Sequence, residues 1–419
     1  MTKRAGIFGI VSILGLFALL HIGFANDEIS PRALGATLVG GIAFLLMATS
    51  IFLATRPSVL EDAFGGLDRM YQVHKTCGVI ATILVLVHFF ASPKEIPEGI
   101  VATADVTFPS SPLGMAGMIL LVVLVIVTLN RKIAYHRWRM PHKLMGVVFV
   151  LIVAHFMTAP EFFFDRFGPS GLLLILAGIV GILSYGYSMF GMNRASAKTY
   201  VIDAVNKMER ATEVVLSPIG DALQFKPGQF AFVEVKGDGF SEPHPFTISS
   251  APDEDKLRFT IKVLGDWTRK VREELTPGLE VDVRGPYGRF DTSHADNKQV
   301  WIAGGIGVTP FLSTIRGLKD GDDREIYLVY AVREGAEALF FDELREKLTM
   351  MPNMKLILLE SNNGEFCKVE KIKEKLGTSM TSFDYFLCGP RVMTSSIIKD
   401  LKSEGVAANK IHTEAFEFR

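Results

Sequence analysis

Residues 74–88 read HKTCGVIATILVLVH and residues 142–155 read HKLMGVVFVLIVAH. Each is an apolar run with histidine at both ends, no acidic residue, and one lysine just inside the first histidine. Runs of this length and composition suit helices crossing the hydrocarbon layer of a bilayer. Histidine is costly there, so His74, His88, His142 and His155 require an explanation. A 14-residue step is close to four helical turns, so His74 and His88 share a face roughly 20 Å apart. A 13-residue step leaves His155 well around from His142 in an ideal helix. That run needs local overwinding, or the two levels are offset.

Further out, six stretches carry no Asp, Glu, Lys or Arg: 5–26, 33–55, 76–93, 106–130, 144–160 and 167–193. The third and fifth are short and extend by a turn through His74 and His142. The first reads as a span rather than a leader, because five more follow. Residues 1–192 hold 23 charged residues and residues 193–419 hold 66, which predicts a membrane part followed by a water-soluble part. A purely soluble, disordered or fibrous protein is excluded, and the net charge of −1 gives no reason to invoke nucleic acid. One set of short loops carries Lys3, Arg4, Arg56, Arg69, Lys75, Arg131, Lys132, Arg137, Arg139, Lys143, Arg194 and Lys198. The other set carries Arg32, Lys94 and Arg166. The basic side is expected to be cytoplasmic, and six spans return residues 193–419 to it. Three cysteines, Cys77, Cys367 and Cys388, make no disulfide framework or CxxC metal pair.

With this topology His74 and His142 lie at the cytoplasmic level and His88 and His155 at the outer level. One imidazole from each of two helices at each level is the axial set of a six-coordinate b-type haem. Taken singly, each histidine reads equally as an interfacial, core-bonded or relay residue. Two matched pairs weaken that reading. His21 reads as a loop-end residue, His136 as part of the basic loop, and Phe149 as a core residue or an aromatic step between the two levels.

After residue 198 the hydrophobic period changes. Alternating runs at 200–205, 212–216, 230–235, 257–263 and 279–283, separated by turns such as Lys226-Pro227-Gly228, predict an antiparallel barrel. From 299 the pattern becomes strand 299–303, a helix from Pro310, strand 325–331, a helix over 338–350, and strands 355–359 and 385–388. It predicts a parallel sheet covered on both faces. Gly304-Gly305-Ile306-Gly307-Val308-Thr309-Pro310 sits between strand and helix, where a glycine-rich backbone and a helix start favour a pyrophosphate. In His244-Pro245-Phe246-Thr247-Ile248-Ser249-Ser250, at a barrel strand end, Phe246 offers a flat apolar wall and Thr247 a hydroxyl. Gly265-Asp266-Trp267-Thr268 opens a short helix.

The paired histidines resemble the ferric reductase transmembrane domain shared by NADPH oxidases and ferric reductases, which places haem ligands on its third and fifth helices at these spacings. The likeness runs from about the second to the sixth span, and the layout is similar to the minimal prokaryotic NADPH oxidase type. The His-Pro-Phe-Thr segment, Gly285-Pro286-Tyr287-Gly288, the glycine loop and Cys388-Gly389-Pro390 resemble the ferredoxin–NADP reductase superfamily. The resemblance implies six transmembrane helices forming a di-haem domain (1–193), an antiparallel β-barrel FAD domain (194–295) and an α/β NAD(P)H-binding domain (296–419).

It further implies a cofactor-binding set of His244, Pro245, Phe246, Thr247, Ser249, Lys262, Gly265, Trp267, Thr268, Gly304, Gly305, Gly307, Thr309, Pro310, Cys388, Gly389, Pro390 and Phe416. Thr247, Cys388 and Phe416 are expected to act at the hydride path; Phe416 is aligned with the aromatic that stacks on the flavin, with Phe418 as the alternative. Arg333 follows a strand where the superfamily often binds the ribose 2′-phosphate; a solvated surface arginine is the other reading. The implied path runs from NADPH or NADH to FAD, through the haem of His74 and His142 and that of His88 and His155, to external oxygen, giving superoxide. Ferric iron is the alternative acceptor. The outer loops carry scattered acids (Glu95, Glu98, Asp105, Glu161, Asp165) but no dense metal-binding cluster. A plasma (inner) membrane location and turnover without a regulatory protein are expected. A transporter or sensor with a nucleotide-binding regulatory domain is the competing reading.

Overall fold

A computed structural model describes residues 5–25, 29–93, 110–130, 132–133, 135–159, 164–190, 197–237, 239–240, 242–319 and 321–414. It divides into two compact units, Met1–Ala195 and Ser196–Arg419. Phe416, Phe418, Glu95, Glu98, Asp105 and Glu161 lie outside the described residues.

The first unit is helical: α1 (Ala5–Gly23), α2 (Pro31–Leu53), α3 (Ser58–Phe64), α4 (Leu67–Ala91), α5 (Ser110–Leu129), α6 (Tyr135–Lys143), α7 (Met145–Thr158) and α8 (Pro169–Met189). Among the described residues six helical stretches are long and apolar enough to cross a membrane, α6 and α7 together forming the fifth. Local chemistry sets the ends. Ser30 caps α2 with its Oγ accepting from Ala33 N at 3.2 Å, and Pro31 takes the first helical position, where its missing N–H costs nothing. Gly65 ends α3 at φ 80°. The core of the unit gathers Phe17, Phe44, Met47, Cys77, Leu121, Phe149 and Leu174. Phe149 is fully buried against Phe44, ring centroids 5.3 Å apart.

His21 corrects the sequence reading. It is no loop-end residue but sits in the last turn of α1, buried between Phe17 and Phe164 at 5.5 and 5.2 Å, its Nε2 2.9 Å from Thr37 Oγ1. Two stacked rings and one hydroxyl partner account for its burial.

The second unit opens with β1 (Lys198–Lys207), β2 (Ala211–Pro218), β3 (Phe230–Val235), β4 (His244–Thr247), β5 (Leu257–Lys262), α9 (Asp266–Glu274) and β6 (Glu280–Tyr287). The six strands form one antiparallel sheet in the order β4-β3-β6-β1-β2-β5. A bridge between Ile248 and Phe259 links its two edge strands, so the sheet curls into a nearly closed barrel. The His-Pro-Phe-Thr segment is itself strand β4 rather than a strand end, and Pro245 is tolerated there because β4 has one strand neighbour.

The chain continues through β7 (Lys298–Gly304), α10 (Thr309–Arg316), β8 (Glu325–Val332), α11 (Phe341–Thr349), β9 (Met354–Glu360), α12 (Val369–Leu376), β10 (Asp384–Cys388), α13 (Arg391–Ser403) and β11 (Ile411–Glu414). The parallel sheet runs β11-β10-β7-β8-β9. Residues of α10 and α11 fill one core layer, and residues of α12 and α13 the layer on the other face. The helix expected from 338 starts at Phe341, after a 3₁₀ turn at Gly335–Glu337 and Phe340 at φ 57°. Chain order reverses between β7 and β10, so the glycine loop after β7 and Cys388-Gly389-Pro390 after β10 meet at the switch point where open α/β sheets bind ligands.

Candidate functional site

In the membrane unit α4 carries His74 and His88, while His142 lies on α6 and His155 on α7. They meet in two pairs. The ring centroids of His74 and His142 are 6.1 Å apart, and those of His88 and His155 6.3 Å apart. The 13-residue step is accommodated at the α6–α7 junction, where Leu144 N bonds Pro141 O at 3.0 Å, an i→i−3 bond that tightens the turn beside His142.

Three of the four rings have a partner at Nδ1. His74 Nδ1 donates to Ser50 O at 2.8 Å, His88 Nδ1 donates to Ala36 O at 2.8 Å, and His142 Nδ1 lies 3.3 Å from Thr128 Oγ1. A donor bond from Nδ1 fixes the tautomer that leaves Nε2 with a lone pair, the arrangement a metal-ligating histidine needs. Two imidazoles held through nitrogen at about 2.0 Å on opposite sides of one metal ion set their centroids roughly 6.3 Å apart. Both pairs therefore fit a bis-histidine metal centre.

Two glycines cradle the second pair. A Cβ on Gly40 of α2 would stand 2.7 Å from His88 Nδ1, and one on Gly114 of α5 would stand 2.9 Å from the His155 ring. At the same end Arg32 Nε donates to Ala91 O at 2.9 Å, and Arg166 donates to Met157 O and Ala159 O at 2.6 and 2.7 Å. These guanidiniums satisfy carbonyls where α4 and α7 end. Sequence reasoning used both arginines only to orient the chain and passed over the glycines, whose role depends on a partner helix.

In the second unit Thr247 Oγ1 is buried and has no hydrogen-bond partner among the described residues. An unpaired buried hydroxyl is costly, and its place beside Phe246 fits an isoalloxazine that would accept from it. His244 packs on Trp267 at 4.1 Å and Phe246 on Trp267 at 5.7 Å, so the indole backs the segment from within the barrel core. Ser249 is fully buried, its Oγ donating to Arg258 O at 3.1 Å and accepting from Thr260 Oγ1 at 3.1 Å. Thr268 Oγ1 accepts from Leu264 N and Gly265 N, both at 2.9 Å, and closes the start of α9. These two hydroxyls hold backbone rather than face an open site.

Gly305 turns the nucleotide loop at φ 54°, and a Cβ there would lie 3.8 Å from Lys262 Nζ, which places the ammonium at the loop. Thr309 Oγ1 donates to Ile306 O at 3.1 Å, and Pro310 takes an early position in α10. A Cβ on Gly307 would stand 2.2 Å from Cys388 O, and one on Gly389 3.0 Å from Gly304 Cα, so the loop and the Cys388-Gly389-Pro390 turn touch backbone to backbone. Sequence reasoning missed what binds α10 to the segment after β4: Ser313 Oγ donates to Ser250 O at 2.7 Å and Arg316 Nη1 to Ser249 O at 2.9 Å. Arg316 also pairs with Glu343 at 2.6 Å and Glu213 at 3.4 Å. Arg333 is exposed and pairs with Glu337 at 2.8 Å.

Cys388 is fully buried, and burial, reinforced by the charge of Glu414, pushes its thiol well up; burial pushes Cys367 up to about 12. A thiol whose pKa is raised stays protonated and unreactive until pH approaches the raised value. Iodoacetamide at pH 8 is expected to leave both cysteines of this unit unmodified in the native protein and to label them after denaturation. Rapid native labelling of Cys388, seen by peptide mass spectrometry, would contradict its burial.

Comparison with known proteins agrees with this architecture. The family model "Ferric reductase like transmembrane component" matches residues 39–153, the "FAD-binding domain" 198–305 and the "Oxidoreductase NAD-binding domain" 301–399. The chain is 22% identical to a superoxide-generating NADPH oxidase heavy chain of Dictyostelium discoideum, over 80% of this chain and 55% of that protein. It is 27% identical to dual oxidase 2 of Rattus norvegicus, over 73% of this chain and 23% of that one. It thus spans about half the length, or less, of these curated relatives. The crystal structure of flavohemoglobin from Malassezia yamatoensis with bound FAD and heme is 18% identical with a TM-score of 0.51, covering 93% of this chain and 99% of that one, a likeness of fold.

The fold and its sites define a multi-pass membrane protein carrying FAD-binding and NAD-binding oxidoreductase domains. Residues 39–153 match the ferric reductase-like transmembrane component, and the chain is similar to an NADPH oxidase over 80% of its length and to a dual oxidase over 73%.

Proposed function

We propose that this chain is a transmembrane NAD(P)H oxidase that moves electrons from cytoplasmic NAD(P)H to molecular oxygen on the far side of a plasma (inner) membrane, releasing superoxide. The observation that carries the reading is the pair of facing imidazole sets, 6.1 and 6.3 Å between centroids, on a chain that also carries the two nucleotide-binding domains. The working parts are residues 1–193 for two b-type haems, 194–295 for FAD and 296–419 for NAD(P)H. When bound, these groups supply hydride acceptance at the flavin and one-electron relay across the membrane.

The protein's own residues set order and access. His74 with His142, and His88 with His155, would hold the haems, with Ser50 O, Ala36 O and Thr128 Oγ1 fixing three of the rings. Thr247 would donate to the flavin, Phe246 would form its wall, and the Gly304–Gly307 loop with Lys262 would cradle the nucleotide pyrophosphate. Engaged together in holding the outer haem, His88 and His155 would leave oxygen no place as a ligand. Oxygen would then accept single electrons without binding the iron, and the product would be superoxide. The ferric-reductase-like family match supports a second reading, ferric iron as acceptor on the same path.

Cytochrome c reduction by the purified protein with NADPH and FAD separates the two. Superoxide dismutase is expected to suppress most of the signal. If dismutase has no effect, and a ferric chelate is reduced equally fast without oxygen, the protein is a ferric reductase.

A further inference from the structure

Arg333 follows β8 at the carboxyl end of the parallel sheet, and its main chain is fixed: its carbonyl accepts from Asn362 N at 2.9 Å. Its side chain is 61% exposed, and its Nη2 pairs with Glu337 Oε1 at 2.8 Å. Glu337, in contrast, is 8% exposed, and its N–H donates to Glu334 O at 2.9 Å. The same Glu337 Oε1 accepts a second guanidinium, Arg210 Nη1, at 3.0 Å. Arg210 comes from the barrel, on the turn just before β2, and its Nη2 also lies 3.4 Å from Glu334 Oε1. One buried carboxylate oxygen is therefore shared by an arginine of the barrel and an arginine of the nucleotide-binding sheet.

We propose that Arg210 and Glu337 are positioning residues that set how strongly the site discriminates a nucleotide bearing a 2′-phosphate from one bearing a free ribose diol. The inference rests on reading Arg333 as the 2′-phosphate ligand. A buried carboxylate left without a cation is strongly destabilised. If Arg333 were the sole partner of Glu337, turning toward a phosphate would strand that charge, and the carboxylate would hold the arginine back. Arg210 removes the conflict, because it stays on Oε1 when Arg333 leaves. Glu337 still competes with the phosphate for Arg333, so it restrains the preference that Arg210 permits. Neither residue need touch the nucleotide.

The test uses the full-length chain in detergent and isothermal titration with two probes, 2′,5′-ADP and 5′-ADP. Wild type is expected to bind 2′,5′-ADP more tightly, and R333A to lose that preference. R210A is expected to bind 2′,5′-ADP about tenfold more weakly, the scale of one charge-assisted hydrogen bond, with 5′-ADP unchanged. E337Q, which keeps the side-chain shape and removes the competing charge, is expected to bind 2′,5′-ADP more tightly than wild type. The double variant R210A/E337Q should regain what R210A loses. No preference in wild type, or its survival in R333A, sinks the phosphate assignment of Arg333. A preference lost in R333A but kept in R210A, equal losses for both probes in R210A, or no gain in E337Q overturns the inference alone.

Discussion

Purified His88→Ala or His155→Ala protein is expected to lack the outer haem and keep the inner one; His74→Ala and His142→Ala are expected to do the reverse. In each case the Soret absorbance per polypeptide falls by about half, because an axial site with one remaining imidazole loses most of its affinity. The His74 and His88 rings are each held by a main-chain carbonyl, of Ser50 and Ala36. The glycines give a graded version of the same experiment. Alanine at position 40 would put Cβ 2.7 Å from His88 Nδ1, and alanine at 114 would put Cβ 2.9 Å from the His155 ring. Both contacts are too short to persist, so the ring must move off its position. Partners that orient a ligating histidine are worth about 10–100-fold in metal affinity. Gly40→Ala and Gly114→Ala should therefore weaken the outer haem by that order and leave the inner one intact. His21→Ala and His136→Ala should keep both haems. Full haem content in His142→Ala, with loss in His136→Ala, would overturn the pairing.

What could be read from the sequence follows from which interactions are local. The six spans stand out because the absence of charge over about 20 residues is a property of the chain itself. The short α3 and α6 do not, because Glu61 and Asp62 in one and Arg137, Arg139 and Pro141 in the other look like loop composition. The histidine spacings were legible, but the tightened turn at Leu144 that reconciles the 13-residue step was not. Strand β4 was hidden because His-Pro-Phe-Thr lacks an alternating pattern and contains proline, and it becomes a strand only by pairing with β3. His21 failed for the same reason: its burial depends on Phe164, far along the chain. Thr247 could be singled out from its motif, whereas Arg316 could not. The bonds of Arg316 to Ser249 and Glu213 span 67 and 103 residues, and no periodicity announces them.

The largest effect expected in the second unit comes from a single methyl group at Gly307. An alanine Cβ there would stand 2.2 Å from Cys388 O and 2.5 Å from its carbonyl carbon. Both obstructing atoms are backbone, at the end of the buried interior strand β10, so neither can rotate away. Overpacking of this kind costs about 3 kcal/mol, which corresponds to roughly a hundredfold in nucleotide affinity if it is taken up by parting the loop from the Cys388-Gly389-Pro390 turn. Gly304→Ala makes contacts nearly as short, at 2.7 Å, but one is with Met393 Cε, the flexible end of a side chain, so its loss should be smaller. Gly305→Ala meets only Lys262 Nζ, at an ordinary contact distance of 3.8 Å, and suffers chiefly the strain of φ 54°, about 1 kcal/mol. Gly265→Ala meets no heavy atom within 4 Å apart from its chain neighbours, so it introduces no clash with the protein. The measurement is 5′-ADP titration of each variant alongside its haem spectrum. The expected order of loss is Gly307 first, then Gly304, then Gly305, with unchanged haem spectra because the histidine pairs belong to the other unit. Wild-type 5′-ADP affinity in Gly307→Ala would mean that the loop and the turn part without consequence, and the switch point between β7 and β10 would no longer stand as the nucleotide site.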